Sequence, residues 1–407
     1  MRPARRGDNE PSVVKPMAIR HPLATALALS LAAAIALGLS RFSYGLLMPP
    51  MRADLGWSYF LAGAMNSANA LGYFIGALAM PKLIRHLGVW RLLVGGAILA
   101  SLFMLFTGLV TDNATLFFLR ICAGVASAFI FIAGGVLAAR LASFHPERAG
   151  FLIGLYYGGT GVGIILSALL VPAILGLAQT DHLHHAWQWP WLALGAACLL
   201  ATAILAWPAR TIGDASPSTG MSRTFRPSTL FFSLSGYFMF GVGYIGYMTF
   251  VVALLKTQGL QSGLITWFYS LLGVAVVASS RIWAPMLERF KGGESLAILN
   301  VILGIATILP ALTSSLPIIF VSGIVFGGVF LSVVAATTIL VRHNLPHAAW
   351  ASGITTFTVI FAFGQIIGPT FIGLISDGPG GLARGLIVSA IALFIGGFLA
   401  LKQKPLV

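Results

Sequence analysis

Two arginines stand where charge is expensive. Arg41, in "LGLSRFSYGLLMPPM" (37–51), lies near the end of an apolar run that begins at Leu23, and Arg120 opens "RICAGVASA" (120–128) inside another such run. A guanidinium at that depth costs several kcal/mol unless something compensates it. All ten Asp and Glu, at 8, 10, 54, 112, 147, 181, 214, 288, 294 and 377, fall outside the apolar runs. No carboxylate within them is there to neutralise either arginine. Two cations at similar depth repel unless an anion joins them, and planar guanidinium forks suit bidentate capture of carboxylate, phosphate or sulfate. The competing reading is structural. A long arginine stem snorkels to an interface or bonds helix-end carbonyls, and Arg120, starting its helix, could serve only to hold neighbouring helices.

Helical spacing places other polar groups near these two. Tyr44 is one turn beyond Arg41 and shares its face. Asn66, Asn69 and Tyr73 form one stripe, Tyr237, Phe240, Tyr244 and Tyr247 another, and Tyr156 pairs with Thr160, while Gln365 is the main amide near the C-terminal end. Together they supply donors for an anion and rings for an apolar body. Each taken alone also reads as an interhelical hydrogen bond or core packing.

Other signals carry less chemistry. Gly72/Gly76, Gly154/Gly158, Gly159/Gly163, Gly323/Gly327 and Gly364/Gly368 are each four apart, which permits close helix approach. Their concentration in the fifth and eleventh helices suggests surfaces that move on each other, and Pro369 is expected to bend the eleventh. "TDHLHH" (180–185) spaces its histidines loosely and reads as a surface loop rather than a metal site. "GLYYGGTGVG" lacks the Lys-Ser/Thr ending of a nucleotide loop. Cys122 and Cys198 lie in apolar stretches and make no disulfide framework. No cofactor or metal is expected, nor any nucleophile–base set for an enzyme.

The elements that position these groups follow from composition. The chain has 407 residues, 58% hydrophobic and 8% charged, with mean hydropathy +0.94. A globule of this size cannot hide so much apolar surface, so most of the chain faces lipid. The net charge of +14 does not indicate nucleic acid, because the basic residues sit in short gaps between apolar stretches rather than on one face of a soluble domain. Twelve helical spans are expected at 23–47, 58–80, 91–110, 115–139, 149–173, 188–208, 229–254, 263–284, 295–313, 316–340, 349–375 and 382–401. A basic tail (1–20) precedes a first six-helix bundle (21–208), and a polar linker (209–228) leads to a second (229–402). With both termini cytoplasmic, that side carries nineteen Lys and Arg against three, Arg52, Lys256 and Arg384, on the other. The first run is too long for a signal-peptide core and is expected to be retained.

The halves repeat at a spacing of 204 residues: "PKLIRHLG" (81–88) and "PMLERFKG" (285–292) share Pro81/Pro285, Leu83/Leu287, Arg85/Arg289 and Gly88/Gly292 in equivalent slots. Parallel six-helix halves joined by a linker resemble the major facilitator superfamily. "GLSRFSYGLLMPPM", "SANALGYFIGAL" (67–78), "YYGGTGVGI" and "GQIIGP" resemble its YbfB/YjiJ-like branch in particular, over residues 21–402. The resemblance implies alternating-access transport of a small solute across the bacterial inner membrane, with membrane lipid and a proton or counter-anion as further partners, and a monomer. It implies a gating role for Arg85, Gly88 and Arg289, although the 2–3 loop has Arg85 where an acid is usual. It places the solute between the halves, so Arg41, Tyr44, Asn66, Asn69, Tyr73, Arg120, Tyr156, Tyr244 and Gln365 are the candidate solute contacts. Gly158, Gly163, Gly364 and Gly368 are candidates for gating and helix packing. An organic anion is the expected solute. A hydrophobic, drug-like compound, or a receptor or scaffold that moves nothing, are the alternatives.

Overall fold

A lipid-facing chain must satisfy its main-chain N–H and C=O groups internally, which leaves the helix as the available element for apolar runs of this length. The computed structural model describes residues 21–213 and 225–406. The basic tail and the middle of the linker lie outside the described residues. Among those described there are twelve long helices: α1 (Pro22–Leu55), α2 (Tyr59–Leu87), α3 (Val89–Thr107), α4 (Asn113–Ser143), α5 (Ala149–Thr180), α6 (Gln188–Arg210), α7 (Phe231–Thr257), α8 (Ser262–Ile282), α9 (Glu294–Leu312), α10 (Leu316–Asn344), α11 (Trp350–Ser376) and α12 (Gly381–Leu401). Eleven of them are long and apolar enough to cross a membrane. The exception is α2, whose Asn66 and Asn69 lower its apolar character. The chain is a multi-pass membrane protein.

Several helices outrun the apolar segments that announce them. The first expected span stops at 47, yet α1 continues through Pro49 and Pro50 to Leu55; α2 continues through Pro81 to Leu87. Hydropathy marks the greasy part of a helix, while its end is set by where the hydrogen bonds stop. Gly56 (φ 67°) stops α1 and Gly88 (φ 81°) stops α2, both in left-handed backbone that favours glycine. Ser58 caps α2 by accepting from the Leu61 N–H. Asp112 caps α4 through the Thr115 N–H at 2.8 Å, and the Thr115 bonds hold its carboxyl below the ordinary aspartate value. The repeat pair also diverges: Pro81 lies inside α2, whereas Pro285 begins a separate short helix, Ala284–Arg289.

One stretch is wound differently. Ala34–Phe42 in α1 is π-helical, and the Ser43 N–H reaches back five residues to the Gly38 carbonyl at 3.1 Å. Such wide turns are rare and concentrate at functional positions. Arg41 lies at the end of this one.

Each half packs its own helices. In the first, α1 lies on α5, α2 on α4, and α3 on α4 and α6; in the second, α7 lies on α11 and α12, α8 on α10, and α9 on α10 and α12. Across the halves α2 meets α11, α5 meets α8, and the end of α1 meets α7. Glycines permit these crossings. A Cβ at Gly273 would stand 2.8 Å from the Gly161 carbonyl oxygen, and one at Gly63 only 2.6 Å from the Pro369 carbonyl carbon. The predicted Gly163, Gly364 and Gly368 do pack tightly, but inside each half: Gly163 on Ala34 and Gly38, Gly364 on Gly241, and Gly368 on Val242. Gly158 has looser surroundings, with Val277 at 3.7 Å from a Cβ.

The two ends of the molecule are joined differently. On the face away from the chain termini, the Tyr59 and Phe60 N–H groups at the start of α2 donate to the two carboxylate oxygens of Asp377 after α11, at 2.7 and 2.8 Å. Deeper, Thr370 Oγ1 donates to Ser67 Oγ (2.7 Å), Asn66 Nδ2 to Thr249 Oγ1 (2.7 Å), and the Tyr269 hydroxyl to the Phe42 carbonyl (2.8 Å). Among the described residues, every hydrogen bond between the halves lies at the level of Arg41 or beyond it toward this far face. Toward the termini the halves touch through Arg281 over the Phe151 ring, 4.9 Å from its centroid. The far face is closed.

Asp377 places a negative charge on a helix N-terminus, which the aligned peptide dipoles favour. Replacing it, D377A, should loosen the far face without unfolding either half. In a cysteine-free background carrying Ser67→Cys, labelling by a membrane-impermeant maleimide from the far side should speed up roughly two- to tenfold. Unchanged labelling would mean that Asp377 does not hold the halves together.

Candidate functional site

Arg41 is 3% exposed and lies between the halves. Its Nη2 donates to the Oε1 of Gln365 on α11, and its guanidinium sits over the Tyr73 ring of α2, 5.7 Å from the centroid. Its Nε has no hydrogen-bond partner among the described residues. Tyr244 of α7 lies within electrostatic reach. A cation is therefore held across the cleft by a neutral amide and an aromatic face. Both described salt bridges involve histidine rather than arginine or lysine: His185 with Asp54 and His343 with Glu288.

Arg120 is equally buried but engaged otherwise. Its Nε donates to the Met65 carbonyl at 3.4 Å and its Nη1 to the Ser40 carbonyl at 3.3 Å, both in the first half. Its guanidinium lies 4.6 Å from the Tyr44 ring centroid and 5.7 Å from that of Trp191. Only its Nη2 lacks a partner. These bonds tie α4 to α1 and α2.

The remaining candidates divide between these two arginines. Tyr73, Tyr244 and Gln365 gather at Arg41. Tyr44 does not, because the wide turn ends at Phe42, between them: its ring lies under Arg120 and its hydroxyl donates to the Ala62 carbonyl at 2.8 Å. Asn69 Nδ2 donates to the Arg120 carbonyl (3.2 Å), and Asn66 spans the halves to Thr249; each leaves its Oδ1 unpaired. Tyr156 donates to the Phe131 carbonyl (2.7 Å) and packs against Gly134. Arg85 and Arg289 are exposed near the termini face, Arg289 stacking on Phe290. His185 of the histidine loop hydrogen-bonds Asp54 at 2.6 Å, and Trp187 donates to the same oxygen at 2.6 Å.

Sequence reasoning missed two members of the aromatic stack beside Arg41. Tyr237, Phe240 and Tyr244 of α7 stack with Phe361 of α11 at centroid separations of 4.8–5.6 Å, and Phe330 of α10 continues from Tyr244 at 6.0 Å. The α7 stripe is legible from spacing, whereas Phe361 and Phe330 come from distant helices and gave no local signal. Tyr247 leaves the stack for Phe326 and Ser322.

Two six-helix halves packed on each other are the fold of solved transporter structures. A bacterial homologue of the human lysosomal transporter Spinster, in an inward-facing and occupied conformation, is similar with TM-score 0.71 and 16% identity, over 94% of this chain and 96% of that one. The nucleoside transporter NupG is similar with TM-score 0.70 and 15% identity, over 95% and 100% of the two chains. No curated protein matches the sequence. The chain belongs to the family described as uncharacterised MFS-type transporter YbfB, whose model matches residues 33–401.

The different bonding of the two arginines has a measurable consequence. R120M removes the charged bonds to the helical Ser40 and Met65 carbonyls and the cation over the Tyr44 and Trp191 rings, and should destabilise the protein by about 1.5–3 kcal/mol. R41Q replaces a cation bonded to a single side chain and should lower the thermal midpoint in detergent much less. Equal midpoints for wild type, R120M and R41Q would show that Arg120 braces nothing.

Proposed function

We propose that this protein carries a small organic anion across the bacterial inner membrane by alternating access, with both termini cytoplasmic and Arg41 as the solute's charge partner. The observation that carries this reading is the bond from Arg41 to the neutral Gln365 across the halves, at a depth where no carboxylate is available. A buried cation satisfied only by dipoles gains when an anion replaces one of them. A solute carboxylate would displace Gln365 and bond the free Nε, while Tyr73 and Tyr244 offer hydroxyls and the stacked rings offer an apolar wall. Displacing Gln365, which belongs to the second half, from Arg41 would release a bond between the halves and so couple binding to both. Energy coupling then falls to the solute's own protonation or to exchange of one anion for another.

The stack of Tyr237, Phe240, Tyr244 and Phe361 favours a second reading, export of a hydrophobic compound that lies on those rings. Gln365 separates the two. Q365E places a carboxylate on Arg41 from within, so it should abolish thermal stabilisation by monocarboxylates, dicarboxylates or sulfonates and stop their flux into proteoliposomes. R41Q should lower that flux at least tenfold while the protein stays folded. If both variants transport an identified acid normally, Arg41 is not its charge partner; if only neutral or cationic compounds stabilise wild type, the anion reading is wrong and the aromatic one stands.

A further inference from the structure

The far face holds a second cation site that the solute cleft does not use. Three cations belong to that face, and two are engaged: Arg52 stacks on the Tyr59 ring, 3.9 Å from its centroid, and Arg384 donates to the Pro379 carbonyl at 3.2 Å. The third, Lys256, makes no hydrogen bond or ion pair with a described residue, although its side chain is half-buried. It lies in a crevice of about 110 Å³, open on one side, where α1 and α5 of the first half meet α7 and α8 of the second.

The lining of this crevice is divided by chemistry. Lys256 in the last turn of α7, Gln179 in the last turn of α5 and Ser262 at the start of α8 form its polar end. Leu46, Leu175 and Val252 form its apolar wall. The polar groups therefore stand at the level of helix ends, where a bilayer changes from hydrocarbon to headgroup, and the apolar wall descends from there toward the membrane centre. A soluble anion would use the polar end alone. A phospholipid matches both: a phosphate at Lys256, with Gln179 and Ser262 as further donors, and an acyl chain on the leucines and valine.

We propose that this crevice binds an anionic phospholipid of the far leaflet, with its phosphate on Lys256. Because the crevice is walled by both halves, the lipid bridges them in the far-closed arrangement and stabilises it. The proposal is independent of what the central cleft carries.

The test uses the purified full-length protein in detergent, titrated with phosphatidylglycerol, with phosphatidylcholine and with inorganic phosphate, and read by thermal midpoint and by native mass spectrometry of retained lipid. Wild type should gain midpoint and retained lipid with phosphatidylglycerol in preference to phosphatidylcholine, and nothing with phosphate alone. K256Q should weaken the apparent phosphatidylglycerol affinity about fivefold. Gly176 borders the crevice with open space around any added Cβ, so G176L should fill it and lower retention while leaving Lys256 in place. Equal phosphatidylglycerol binding by wild type, K256Q and G176L overturns the proposal. Stabilisation by phosphate alone to the same extent also overturns it, since the site would then serve a free anion.

Discussion

A guanidinium in a low-dielectric interior must be surrounded by dipoles, rings or an opposite charge, and this chain places no carboxylate within reach of its two. That constraint organises the centre of the molecule. Arg120 solves it inside one half with main-chain carbonyls and two aromatic faces, which makes it part of the framework. Arg41 solves it across the two halves with a single amide and one ring. The first arrangement is local to one rigid body. The second exists only while the halves are together, so the environment of Arg41 changes whenever they part.

The helix crossings follow the same division between rigid and separable. Gly163 on Gly38 and Gly364 on Gly241 bring backbones together within a half, where no relative motion is required. Gly63 against Pro369, and Gly161 against Gly273, bring them together between halves. Close main-chain contact without interlocking side chains has few rotamers to disengage, so such crossings can part and re-form with little rearrangement. Directional bonds such as those of Asp377 and Thr370 would have to break for the halves to part at the far face.

The architecture was legible because apolar runs of membrane length leave a chain few options. Twelve spans, two halves and the buried position of both arginines all followed from hydropathy and from where the acids are absent. What was not legible depends on three-dimensional partners. Sequence offered the bracing role of Arg120, at a helix start, only as one of two readings; its partners, the carbonyls of Ser40 and Met65 and the rings of Tyr44 and Trp191, come from distant segments. Tyr44 was placed with Arg41 by ordinary helical spacing, which the wide turn at Ala34–Phe42 defeats. The ends of α1 and α2 were missed because proline and polar residues end a hydropathy run without ending a helix.

Among the described residues, the grouping of the hydrogen bonds between the halves at one end has a mechanical consequence. A pair of stiff rods tied near one end behaves as a lever, and displacement grows with distance from the tie. A rotation too small to break the Asp377 bonds would still separate the opposite ends of α4 and α10 by several times the movement at the tie. Any such opening would be widest between those ends and narrowest at Asp377.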